Sequence, residues 1–156
     1  MSESLITTPA PVAASSSSIA ANLPAEVAAF RTSMITQLDS YFKEYGDRLS
    51  ISERKEMNAL QTQVDRELLA LQAKTRLTAR LEAKNAPVLR RKAAASAAAR
   101  AFDSTYDRAM AGLEKFQPIL QPKLSLFEAL SAKSDLDGQL SKFDELGRHI
   151  HQFAGN

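Results

Sequence analysis

Between Val88 and Phe116 one set of residues recurs at alternating steps of four and three: Val88, Lys92, Ala95, Ala99, Phe102, Tyr106, Ala109, Leu113 and Phe116. Such steps keep every position on a single seam of an α-helix, and only Lys92 breaks its apolar or small character. Within the seam the run KAAASAAARA is strongly helix-forming, so this helix needs little help from packing to form. The seam must be covered lengthwise by other helices, and it carries no catalytic group. An all-α architecture follows: three to four long helices in an elongated bundle or coiled coil, preceded by a disordered N-terminal tail.

The tail is residues 1–21, MSESLITTPAPVAASSSSIAA. Its serine run, prolines and single charge, Glu3, bury too little apolar surface to offset the entropy of ordering. It reads as a solubilising segment, with a kinase target or a bacterial secretion signal as the sharper alternatives.

An elongated helical domain is expected over residues 22–153. Asn22 is placed to cap its first helix, with Pro24 and Glu26 in the first turn. Val27, Phe30, Met34, Leu38, Tyr41, Tyr45 and Leu49 follow in an eleven-residue repeat, which favours nearly straight packing. Gly46 and Asp47 weaken that helix, and the capping-box pair Ser50 and Glu53 restarts or continues it. Met57, Leu60, Val64, Leu68 and Leu71 carry the stripe on, and Leu77 and Leu81 extend it less regularly toward Lys84. Asn85-Ala86-Pro87 is the strongest internal break, because a residue before proline is driven out of helical geometry. Seams on both sides favour a hairpin there over a kink.

Pro118 and Pro122 stop or kink the third helix. A further seam then runs through Leu126, Ala129, Lys133, Leu136, Leu140, Phe143, Gly147 and Ile150, with Asp137-Gly138 as a soft spot. Breaks are thus expected near 46–51, 85–87 and 118–122. Alanine on the third helix implies a partner lying close to it. The candidate interface comprises Ala95, Ala99, Phe102, Tyr106, Ala109, Leu113, Phe116, Leu136, Leu140 and Phe143, with an apolar contact at least partly between chains.

Charge is segregated. Lys74, Arg76, Arg80, Lys84, Arg90, Arg91, Lys92 and Arg100 face a single acid, Glu82, while the whole chain carries only +2. A hairpin at Asn85 gathers Arg76, Arg80, Lys84, Arg90, Arg91 and Lys92 at one tip of a rod. The ordinary reading of such a run is solvated surface. Its rivals are an acidic partner, an anionic membrane or nucleic acid, the last disfavoured because no aromatic residue interleaves the bases for stacking.

The chain has no cysteine, which excludes disulfides and thiolate chemistry and fits a reducing compartment. No apolar run approaches the length of a membrane span, and the N-terminus lacks a secretory pattern, so a soluble, cytoplasmic chain is expected. His149 and His151 stand two apart, on different helical faces, and cannot share one metal. Asp135 and Asp137 have the same spacing and no histidine beside them to make an acid–base pair. With no phosphate loop, nucleophile elbow or zinc-helix motif, the expectation is a protein that is not an enzyme and takes no cofactor, metal or small-molecule substrate.

From Leu81 onward LEAKN, FQPIL at Phe116–Leu120, and the region Leu140–Phe143 come in an order similar to small coiled-coil subunits of the complex that builds lysosome-related organelles. Lys133, Asp135 and Leu136 also match the Lys-x-Asp-Leu arrangement of a subunit of its lysosome-positioning sister complex. This resemblance covers about half of the chain, and Pro87 and the alanine run depart from it. It implies a scaffold subunit at the cytosolic face of endosomes or lysosomes. The expected function is therefore assembly with other helical chains. Binding through the basic tip, or secretion from a bacterium through the tail, are the alternatives.

Overall fold

The structure is a computed structural model that describes the backbone of residues 10–155 and the side chains of residues 19–155. Four helices account for nearly all of it: α1 (Ala10–Tyr45), α2 (Ile51–Ala83), α3 (Val88–Leu120) and α4 (Leu126–Phe153). Two 3₁₀ turns, Gly46–Arg48 and Gln121–Lys123, close the first and third helices. The connections are short, so successive helices run antiparallel. Contacts across each pair agree: Arg31 with Asp65, Thr78 with Ala94, Phe102 with Phe143, and Tyr41 with Ala132. The Tyr41 and Phe116 rings also meet on the α1–α3 diagonal, with centroids 6.4 Å apart. This is an up-down-up-down four-helix bundle. Helices of 33 residues make it about 50 Å long, at about 1.5 Å per residue.

The core is the set of seams facing one another. On α1 the whole stripe from Val27 to Leu49 is buried, and on α2 Met57, Leu60, Val64, Leu68 and Leu71 are. Beyond Leu71 the same steps of four and three land on Thr75 and Thr78, which are fully buried, whereas Leu77 is 42% exposed and Leu81 half-buried. The small threonines suit the alanine face opposite, where Ala95, Ala98 and Ala99 are buried. Thr78 Oγ1 donates to the Lys74 carbonyl at 3.1 Å and comes within 3.4 Å of the Ala94 carbonyl across the interface. The close-lying partner implied by the alanines is therefore α2.

Several helix ends differ from expectation. α1 begins at Ala10, so Asn22 is not its cap and Pro24 lies inside it. Ala20, Leu23 and Val27, all fully buried, hold the helix on both sides of the proline. Of the expected disordered tail, residues 1–9 lie outside the described residues, and residues 10–21 are the first turns of α1. On α3, Val88 and Lys92 are exposed and the buried seam starts at Ala95. α3 also continues through Pro118 to Leu120 before it stops. On α4 the first positions of the expected seam, Leu126 and Lys133, are exposed, and burial starts at Ala132 and Leu136.

The break at residues 84–87 is a hairpin turn. Asn85 adopts φ 53°, and the Ala86 and Asn85 amides donate to the Leu81 and Glu82 carbonyls, the double closure of a Schellman cap. Asparagine tolerates this left-handed conformation better than most residues, and Pro87 then stands at the N-cap of α3, its carbonyl accepting from the Arg91 amide. Arg91 staples the turn: its Nε donates to the Ala86 carbonyl at 2.7 Å, and its Nη1 lies 3.4 Å from Glu82.

The two hairpins, α1–α2 and α3–α4, are related by a pseudo-twofold axis. Positions 75 apart, as Ser50 and Ser125 are, match in both loops: a 3₁₀ turn, an extended leucine (Leu49, Leu124), then a serine cap with its glutamate (Glu53, Glu128). The ion pairs between the loops obey the same relation, Arg48 with Glu128 and Lys123 with Glu53. Burial repeats too. Ala20, Leu23, Val27, Phe30, Met34, Leu38, Tyr41 and Tyr45 map onto buried residues of α3 at every position, from Ala95 to Leu120. Residue identities hardly repeat, so the symmetry lies in geometry and pattern.

Candidate interaction surface

At the loop end of the bundle, α4 starts from a rigid platform. Ser125 accepts from the Glu128 amide, and Glu128 accepts from the Ser125 amide, which completes a capping box. Arg48 donates to both Glu128 oxygens, at 2.7 and 3.1 Å, and to the Lys123 carbonyl at 3.0 Å. The Arg48 hydrogen bonds, followed by that from the Ser125 backbone, hold the Glu128 carboxyl at about 2, well below its ordinary value. Glu53 is held low in the same direction, first by the Ser50 amide and then by Lys123.

On this platform stand three large apolar side chains that face solvent: Leu126 (78% exposed), Phe127 (81%) and Leu130 (59%). Leu126 and Leu130 border an open groove of about 200 Å³ between the end of α3 and the start of α4. Leu120, Leu124, Ala129, Ala132 and Leu136 also line it, with Gln117, Gln121 and Lys133 at its polar positions.

The pseudo-twofold partner of this surface shows what the fold itself requires. Ser52, Arg54 and Lys55 occupy the positions equivalent to Phe127, Ala129 and Leu130. Arg54 lies across the equivalent of the groove, donating from Nε to the Gly46 carbonyl at 3.0 Å, and the fully buried Met57 stands where α4 has Ala132. In the first hairpin Ile51, the equivalent of Leu126, is likewise exposed (76%), but the positions of Phe127 and Leu130 are polar and the groove is filled. On α4, Ala129 and Ala132 leave the groove open, Leu130 lines it, and Phe127 is exposed one residue from the lining Leu126, where the first hairpin has Lys55 and Ser52. Exposed apolar residues clustered around a concavity mark an interaction site.

The expected interface residues lie elsewhere. Ala95, Ala99, Phe102, Ala109, Leu113, Phe116, Leu136 and Phe143 are buried inside the single chain, and Tyr106 and Leu140 are half-buried against the same core. Phe143 stacks on Phe30 (centroids 4.6 Å apart) and meets Phe102 edge-on (5.3 Å). Gly147 is needed beside them, since a methyl group there would overlap the Phe102 ring. The seam's partners are thus α1, α2 and α4 of the same molecule.

The seam spacing places Leu126 on the buried face of α4 and assigns no role to Phe127 or Leu130, whereas all three are exposed. The available signal was that Phe127 and Leu130 lie off the seam drawn through Leu126, Ala129 and Lys133. Comparison with known families, curated proteins and solved structures found no match.

Of the basic residues, Arg76, Arg80, Lys84, Arg90 and Lys92 are exposed at the turn end of the bundle, while Arg91 is held by the turn itself. His149 and His151 face different helices, bonding to Glu26 on α1 and Asp103 on α3, each at 2.7 Å. Asp137 pairs with Lys133 at 3.1 Å, one turn away on α4. Among the described residues no helix is long and apolar enough to cross a membrane, and no three candidate ligands converge on a metal position.

Proposed function

We propose that this protein is a non-catalytic assembly module whose contact surface is the start of α4. One observation carries the reading: Phe127, Ala129 and Leu130 replace the Ser52, Arg54 and Lys55 with which the pseudo-symmetric half of the same scaffold is satisfied. The occupant is the apolar face of a helix from another protein. Its leading side chain enters the groove that Arg54 and Met57 fill in the first hairpin, and its flanks rest on Leu126, Phe127 and Leu130.

A coiled-coil subunit of the lysosome-related type would leave its seams open for other chains. The closed core here leaves no open seam for that mode of assembly, and what is kept of the reading is assembly with other helical proteins through the α4 surface. Residence on an endosomal or lysosomal complex is its finer form.

The test is affinity purification with a photo-crosslinking residue at position 127, beside the variant F127S/A129R/L130K, which writes the first hairpin's residues into the second. The reading expects a partner crosslinked through position 127 and lost in the variant, whose helicity and melting temperature are retained. An unchanged set of partners in the folded variant rejects it.

A further inference from the structure

The opposite end of the bundle has a different chemistry. α4, at 28 residues, is shorter than α2 and α3. With His151 opposite Asp103 and only two residues of α4 left, the turn end of the α2–α3 hairpin projects past α4. The apex, which projects past α4 and lies level with the first turn of α1, carries two solvent-facing apolar residues in the first turn of α3, Val88 (54% exposed) and Leu89 (81%). Around and behind them stand Arg76, Arg80, Lys84, Arg90 and Lys92, all exposed and none ion-paired among the described residues. Glu82, the one acid between Lys74 and Arg100, is only 11% exposed at its side chain and is taken by Arg91.

We propose that this tip docks on the headgroup layer of an anionic lipid bilayer, with Val88 and Leu89 entering the interface and the surrounding cations binding lipid phosphates and carboxylates. Charge complementarity selects an anionic surface, since five free cations sit with no free acid among them. The apolar apex selects a bilayer over a nucleic acid. Leucine and valine at the leading point have no counterpart on a phosphate backbone, but they gain from leaving water in the acyl boundary. Nor does any aromatic side chain occur between Tyr45 and Phe102 to stack on bases. Long Lys and Arg stems let the cations reach headgroups while the apex sits deeper. The turn is rigid, closed by its double cap and by Arg91, so little order is lost on docking. The site is independent of the α4 surface, which lies at the other end of the bundle.

The chain has no cysteine, so Leu89→Cys provides a single thiol for an environment-sensitive fluorophore. The probe is vesicles of phosphatidylcholine with phosphatidylserine as the minor component, at about 0.15 M salt, where unspecific attraction is screened beyond about 8 Å. Sedimentation with these vesicles is expected, with a blue-shifted label quenched by brominated acyl chains. Each cation near such a surface contributes about fivefold, so R80Q/K84Q/R90Q should bind about 100-fold more weakly. These positions are exposed, and circular dichroism confirms that the variant is folded. Four results overturn the proposal: no sedimentation, a label that stays in water on vesicles, a folded charge variant that binds undiminished, or tighter binding to RNA than to vesicles.

Discussion

Glu128 accepts hydrogen bonds from Arg48 and from the backbone that caps α4, and both favour its ionised form. Its carboxyl titrates at about 2 in the folded chain against 4.5 ordinarily. A depressed carboxyl stabilises the fold above its unfolded pKa, and that contribution disappears as pH falls toward the folded value. The melting temperature should therefore drop between about pH 4.5 and pH 2, and Glu128→Gln should flatten that drop. A profile identical in the variant would show that the Arg48 pair does not hold the loops. Tyr41 makes a second test at this scale. Its buried hydroxyl donates to the Ala132 carbonyl at 3.0 Å and joins α1 to α4. Tyr41→Phe should cost about 1 kcal/mol in denaturant unfolding, the net worth of such a bond. The box of Ser50 and Glu53 was legible in the sequence because both partners lie within one turn. The Arg48–Glu128 pair was not, since nothing local connects residues on different loops.

At the scale of elements, the α2–α3 turn depends on one left-handed residue. Asn85→Gly should leave stability within a few tenths of a kcal/mol, whereas Asn85→Val should cost about 1–2 kcal/mol, the ordinary penalty of that conformation for a residue with a Cβ. Equal melting of the two variants would mean that the turn is not specified there. The break itself was readable from Asn85 and Pro87, and the stripes of α1 and α2 from their spacing, because helical periodicity records which face is covered. It does not record what covers that face. The α3 seam therefore looked like a surface for another chain until α1, α2 and α4 were seen to cover it. The same limit puts Leu126 on the buried seam, since its spacing continues the α4 pattern, although α3 ends in its 3₁₀ turn beside the start of α4 and leaves Leu126 exposed.

For the whole molecule, closure of four seams in one chain makes folding unimolecular. Truncating the buried Phe102 to alanine should cost about 3–5 kcal/mol, with no gain in stability at higher protein concentration. The all-α class and the elongated form were legible because strongly periodic segments fill most of the length. The pseudo-twofold was not, because it repeats burial and loop geometry and hardly repeats identities. That symmetry separates what the scaffold needs from what was added to it, the apolar surface on α4. Thermal unfolding of F127S/A129R/L130K across a hundredfold range of concentration tests this division most directly. A monomer with one cooperative transition at a constant temperature is predicted, because the core is complete without the surface. A transition that rises with concentration, or a variant that fails to fold, would contradict it.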